Sequence, residues 1–277
     1  MKLKLFSYNV LDTPIHRLSG LTKLICFLLL TFAVMYSYDI RFILFVTVFS
    51  IVILKISKIK FSQIRLMIVY VVIFIAVNFV LTFLFAPEYG VEIYGTRHEL
   101  LRISGRYNVT IEQLFYQITK VFKYGSVIPL GIIFLLTTNP SEFAASLNGV
   151  GVPYKVAYAV SLTLRYFPEI QRDYQNISQA QQARGLEMSK KAKFMTRFKN
   201  SLMIIVPLIF STLERIEYIS NAMDLRGFGK LKKRSWYSKK KLTVHDYIAI
   251  LLAVVIFTAS ILISVFINGS RFYNPFI

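Results

Sequence analysis

Two stretches of the chain carry residue types suited to gripping a partner: Gln181-Gln182-Ala183-Arg184-Gly185-Leu186 and Ala222-Met223-Asp224-Leu225-Arg226-Gly227-Phe228-Gly229. In each, an arginine followed by glycine stands where a long helical pattern runs out, and a second helical run separates the two. A guanidinium is a planar, permanently charged fork that can hold a carboxylate through two parallel hydrogen bonds. The adjacent glycine lets another backbone come close. A purely local use also exists, because a cation at a helix C-terminus gains about 0.3–1 kcal/mol from the helix dipole. That use suffices for either arginine taken alone. The matched pair, on long helices of one chain, points instead to two projecting cytoplasmic grips for a soluble partner.

Other chemistry-bearing residues do not assemble into a reactive site. His98-Glu99-Leu100-Leu101-Arg102 stops one residue short of the H-E-x-x-H zinc motif, because an arginine cannot ligate a metal. His16 and His245 are expected on the opposite side of the membrane from it. No G-x-x-x-x-G-K-[ST] phosphate loop occurs, so the chain does not cradle ATP in that way. The apolar runs lack the paired carboxylates of an intramembrane enzyme or proton relay. Lys120 and Lys123 are the mid-span exceptions and read as the polar start of a helix. The single cysteine, Cys26, lies in an apolar run, which leaves no disulfide framework and no thiolate metal cluster.

The elements that must position the two grips are those of an all-α integral membrane protein, since 55% of the 277 residues are hydrophobic. A net charge of +19 would suggest nucleic acid on a soluble protein. Here the basic residues flank apolar spans and concentrate on one side, which assigns them to orientation and anionic membrane lipids, with no nucleic acid.

Five spans are expected: Leu21–Tyr38, Ile40–Ile56, Leu66–Ala86, a fourth within Glu112–Thr138 whose lipid-buried part is about Val121 to Thr138, and Tyr247–Ile267. The first twenty residues hold no apolar block and are not expected to form a signal peptide. Lys55, Lys58, Lys60 and Arg65 mark a cytoplasmic loop and place the N-terminus inside. Residues 88–111, balanced in charge, suit an external loop. The organisation expected is a membrane part over 1–138, a cytoplasmic segment over 139–245, and a last span with a short external tail over 246–277.

Within the cytoplasmic segment, Asn139-Pro140-Ser141-Glu142 opens a short helix that stops at Gly149-Val150-Gly151. Pro153 suits the first turn of the next, which runs to Ala183 or Arg184 and is expected to kink at Pro168. Gly185 is placed to cap it. A second long helix starts near Ser189, is apolar all round over Leu202–Phe210, and ends at Arg226 before Gly227 and Gly229. The basic run Lys230 to Lys241, with Trp236 and Tyr237, reads as the return to an anionic membrane surface.

The paired stretches resemble the Ala-Arg-Gly signatures of the T component of energy-coupling factor transporters, the CbiQ-like family. Further pieces agree in order: Pro14-Ile15-His16-Arg17-Leu18 before Thr22-Lys23-Leu24, Thr137-Thr138-Asn139-Pro140-Ser141-Glu142, Val152-Pro153-Tyr154, and Leu164-Arg165-Tyr166-Phe167-Pro168-Glu169. The second signature departs from the common form, with Leu225 in place of alanine.

The resemblance implies a non-catalytic membrane scaffold that binds no cofactor itself, ATP being held by two partner ATPase subunits. Ala183, Arg184 and Gly185, and Leu225, Arg226 and Gly227, would dock into acidic grooves on those subunits. One substrate-binding membrane S component would lie against the coupling helices. The setting implied is the cell membrane of a prokaryote, and the cargo a vitamin or transition metal. A self-contained membrane enzyme or channel, with a basic region binding lipid or an anion, is the alternative from a different class.

Overall fold

The computed structural model describes residues 13–59, 61–101, 107–187, 194–231 and 235–276. The expected helix start near Ser189, Arg102, Lys60 and part of the basic run after Lys230 lie outside the described residues. The chain forms two compact units, Met1–Asn139 with Lys240–Ile277, and Pro140–Lys239.

The first unit holds α1 (Pro14–Arg17), α2 (Gly20–Tyr36), α3 (Ile40–Ile56), α4 (Phe61–Phe85), α5 (Tyr89–Tyr94), a two-stranded antiparallel hairpin of β1 (Glu99–Leu101) and β2 (Val109–Thr110), and α6 (Ile111–Thr137). The sequence marks the helix starts with side chains that accept from exposed backbone amides. Ser19 accepts from Thr22 N, Asp39 from Arg41 N and Thr110 from Gln113 N. Between the last two starts, Gly90 of α5 sits so close to α6 that a Cβ there would lie 2.6 Å from the Gln113 backbone.

Among the described residues, three helical stretches are long and apolar enough to cross a membrane: Ile64–Phe85, Ile111–Thr137 and Val244–Ile267. Helices α2 and α3 have 17 residues each. At about 1.5 Å per residue they reach about 25 Å, short of a ~30 Å hydrocarbon core. Both nevertheless build the centre of the unit. Leu30, Ala33 and Val34 of α2, Phe42 and Val46 of α3, and Leu130 of α6 pack with Ala253 and Ile256 of the last helix. Helix α4 is different: it is apolar on every face and almost wholly uncovered, with Tyr70 and Phe85 more than two-thirds exposed. Such a surface suits contact with lipid.

Lys120 and Lys123 are not simply a polar helix start. Both are buried. Lys123 Nζ donates to Met35 O at 2.7 Å and Ser37 O at 3.2 Å, and stands over the Tyr38 ring. The carbonyls at the end of α2 have no intrahelical donor, and the lysine supplies one. Lys120 Nζ donates to Thr82 Oγ1 of α4 at 2.8 Å. The loop before α6 is likewise fastened: buried Glu112 accepts from the backbone N–H of His98 and from Thr96 Oγ1, and its Oε1 lies 2.6 Å from His98 Nδ1. The His98-Glu99 pair is therefore spent on loop structure, and no cluster of three metal-ligating side chains occurs among the described residues.

The second unit is helical: α7 (Pro140–Gly149), α8 (Tyr154–Ala183) and α9 (Phe194–Leu225). Pro153 stands at the N-cap of α8 rather than in its first turn. Both long helices continue through their prolines, Pro168 and Pro207. They run antiparallel, because residues late in α9 meet residues early in α8. Phe228, just beyond α9, packs on Tyr154 and Tyr158, while Arg215 reaches Glu169 and Asp173. After this unit the chain enters α10 (Val244–Leu262), which continues as a π-helical turn through Ile267 and belongs to the first unit.

Candidate docking tips

The two arginine–glycine stretches end α8 and α9 with the same backbone design. Arg184 is the C-cap of α8, and Gly185 follows in the left-handed region at φ 92°. The N–H of Gly185 donates to Gln182 O at 3.0 Å and that of Leu186 to Gln181 O at 3.0 Å. At the end of α9, Gly227 has φ 66°, its N–H donates to Asp224 O at 2.9 Å, and that of Phe228 to Met223 O at 2.9 Å. Both are Schellman closures, in which the last free carbonyls are taken by the two residues after the cap. A glycine is needed at the turn because a Cβ in that conformation meets the backbone, at a cost of about 1–2 kcal/mol. The closure also fixes the arginine beside it as the last residue before the chain reverses.

Both arginines are exposed, as are Ala183 and Leu225 beside them, Leu225 at 91%. Neither guanidinium has a hydrogen-bond or ion-pair partner among the described residues. The surroundings of the turns differ. Among the described residues, nothing lies within 4 Å of a Cβ built on Gly185. After Gly227, by contrast, the Phe228 ring lies 4.8 Å from Tyr158 in a tilted contact and 5.7 Å from Tyr154 edge-on, and a Cβ on Gly229 would lie 3.4 Å from Lys155 Cε. The second tip is thus tied to the start of α8, while the first caps its end. From the Tyr158 contact to Arg184, a rise of about 1.5 Å per residue puts about 40 Å between the two arginines.

One residue that holds this arrangement escapes a reading of the sequence. Arg215 of α9 donates from Nη1 to Glu169 Oε2 at 3.2 Å and from Nη2 to Asp173 Oδ2 at 2.6 Å. The available signal was the i, i+4 spacing of Glu169 and Asp173, which puts both carboxylates on one face of α8. Trp236, read as a membrane-interface anchor, is folded into its own unit: its Nε1 donates to Asn148 Oδ1 at 3.0 Å and its ring lies 6.3 Å from Tyr158. The apolar stretch of α9 stays largely uncovered, with Leu202, Val206, Ile209 and Phe210 exposed and Ile204 buried.

Residues 12–237 match the family described as CbiQ, cobalt transport protein. The chain is 26% identical over 253 residues to the energy-coupling factor transporter transmembrane protein EcfT of Exiguobacterium sibiricum, covering 87% of this chain and 91% of that protein. To the protein of the same name from Clostridium kluyveri it is 25% identical over 260 residues, 91% of this chain and 93% of that one. The Streptococcus thermophilus relative, again named EcfT, is 23% identical over 262 residues, with 90% and 94% covered.

Proposed function

The chain belongs to the CbiQ family, as the transmembrane T component of an energy-coupling factor transporter, and from that premise we propose that α8 and α9 are coupling helices driven at their tips by two ATPase subunits. The observation that carries this reading is the pair of identical helix closures, each presenting an exposed arginine without a partner, at opposite ends of one helix pair. A separation of about 40 Å suits two separate docking grooves better than one.

In each groove an acidic side chain would receive the guanidinium fork, and the glycine would let the groove's backbone close against the turn. Closure of the ATPases on ATP would move the two tips together. The helix pair, pinned by Arg215, would pass that motion to a substrate-binding S component seated on the exposed apolar stretch of α9. The chain itself performs no catalysis and holds no cofactor; ATP is bound and hydrolysed by the partners. Its cargo is a micronutrient, a vitamin or a transition metal, taken up across a prokaryotic cell membrane with the N-terminus of this chain inside.

The test is co-purification of the ATPases and substrate uptake with Arg184→Ala, Arg226→Ala and the double variant. Truncating one partner of a desolvated charge pair costs about 2–5 kcal/mol. Two linked attachments hold far better than one, so each single variant keeps part of the complex and loses uptake. The double variant loses the ATPases altogether. Normal uptake by the double variant refutes the assignment.

A further inference from the structure

Arg226 stands just past the end of a long helix that contains a proline. Pro207 removes one backbone hydrogen bond, so α9 bends most easily there. From Pro207 to Leu225 the helix is a lever of about 27 Å, at about 1.5 Å per residue. A bend of about 10° at its foot would move the tip by about 5 Å, whereas a bidentate contact tolerates an error of about 0.5 Å. Arg215 steadies the lever part way along and leaves about 15 Å of helix beyond it. The helix by itself does not fix where its arginine stands.

The fixing contacts lie after the tip. Phe228 is two residues from Arg226, within about 7 Å of it along the chain. Its ring meets Tyr158 at 4.8 Å and Tyr154 at 5.7 Å. Gly229 follows with φ 90°, and its missing side chain lets the backbone cross close to Lys155. The chain then meets the same corner again. The Trp236 ring lies 6.3 Å from Tyr158, its Nε1 donates to Asn148 Oδ1 at 3.0 Å, and Ser238 Oγ donates to Ser141 O at 2.9 Å. Tyr158 is thus touched by both Phe228 and Trp236.

Asn148 fastens the corner from the other side. Its Nδ2 donates to Val152 O at 2.9 Å, across the turn that joins α7 to α8, and the N–H of Val152 donates to Leu147 O at 3.1 Å. One amide therefore ties the α7–α8 turn to the indole. Ala144 and Ala145 of α7 and Tyr154 and Ala157 of α8 are buried, so the corner is packed as well as bonded.

We propose that Asn148 and Trp236 are positioning residues for Arg226. They hold Tyr158 and the α7–α8 turn as a seat for Phe228, and that seat sets where the guanidinium meets its partner's carboxylate. The inference rests on the reading of α8 and α9 as coupling helices and adds that the second tip is aimed from α7. The first tip stands about 40 Å from the seat and is not set by it.

The experiment uses full-length protein and measures how much ATPase stays bound after washing. With Arg184→Ala the second tip alone holds the ATPases, and with Arg226→Ala the first alone does. In the Arg184→Ala protein, adding Trp236→Ala is expected to lower retention at least tenfold, and adding Asn148→Leu at least threefold. Trp236→Phe keeps a ring against Tyr158 and should recover part of the loss. In the Arg226→Ala protein the same changes should alter retention by less than twofold, which also shows that the unit still folds. Equal losses in the two proteins overturn the proposal, because the pair would then serve folding alone. Unchanged retention in the Arg184→Ala protein overturns it too. ATPases that stay bound when both arginines are alanine would sink the docking reading itself, and the proposal with it.

Discussion

The two arginine tips share a backbone but differ in what holds them. Gly185 and Gly227 close their helices with the same pair of hydrogen bonds, so each arginine leaves its helix in the same way. At the first turn, a built Cβ on Gly185 meets none of the described residues within 4 Å. Beyond the second, Phe228 is wedged among Tyr154 and Tyr158. The sequence positions that flank a Schellman closure follow suit: Gln181 and Leu186 at the first tip, Met223 and Phe228 at the second. An apolar pair there commonly accompanies the motif. The first tip has no such aromatic brace, and just after it Glu187 O accepts from Asn200 Nδ2 of α9 at 2.8 Å. The second is a fixed point, braced against the base of the helix that carries the first.

The largest effect expected from breaking this comparison comes from the arginines themselves. Arg184→Lys and Arg226→Lys each keep the charge and lose the fork, and each should lower substrate uptake at least tenfold. If the shared closure decides function, the two losses match within a factor of about three, since RT ln 3 is small against the ~2–5 kcal/mol of such contacts. Full uptake with lysine at both positions would leave only the dipole role, worth about 0.3–1 kcal/mol.

Phe228→Ala separates the aromatically braced second tip from the first. Removing a half-buried ring should cost about 2 kcal/mol, below the ~3–5 kcal/mol of a fully buried phenylalanine. The matching change at the first tip, Leu186→Ala, should cost less than about 1 kcal/mol. Thermal unfolding of both variants, with ATPase co-purification, checks this. Equal shifts would mean that the bracing contributes nothing.

Gly185→Ala and Gly227→Ala test the closure they have in common. Each forces a Cβ into the left-handed region at about 1–2 kcal/mol, and asparagine should recover part of the loss. The costs should be similar, because the nearest atom to a Cβ on Gly227 is the flexible Lys230 Cδ at 3.4 Å. The smallest effect on stability belongs to Arg215→Met. Its ion pairs are partly exposed, so no more than about 1 kcal/mol is expected. Uptake should nevertheless fall more than ATPase co-purification does, because the pins align the two tips without touching a partner. An equal fall in both would show that Arg215 serves only to keep the unit folded.

Much of the local structure was legible in the residue order. The end of α8 falls at Ala183 with Arg184 as its cap, and α7 runs from Pro140 to Gly149, as the proline and glycine punctuation indicates. Helix α3 covers the expected Ile40–Ile56. These are short-range effects: a glycine that relieves a left-handed turn, or a side chain that caps an amide, acts within four residues. Lys120 and Lys123 were misread for the complementary reason. Their partners, Thr82, Met35 and Ser37, lie on other helices, and a lysine's neighbours in sequence do not reveal which open carbonyl it will meet. For Trp236, read as a membrane-interface anchor, the residue order likewise did not reveal its partners Asn148 and Tyr158, which lie far away in the chain.

The sequence alone determined that this chain is helical and membrane-embedded, and that two arginines stand at helix ends beside glycines. Hydropathy, capping and backbone sterics depend on residue type and near neighbours. The tertiary structure decided that α8 and α9 lie antiparallel, which sends those arginines to opposite ends of the pair instead of to one shared tip. It also decided that Arg215 finds both Glu169 and Asp173. Each of these depends on which surfaces meet across long stretches of chain, and the packing of side chains from separate helices chooses among many pairings that the same local pattern allows.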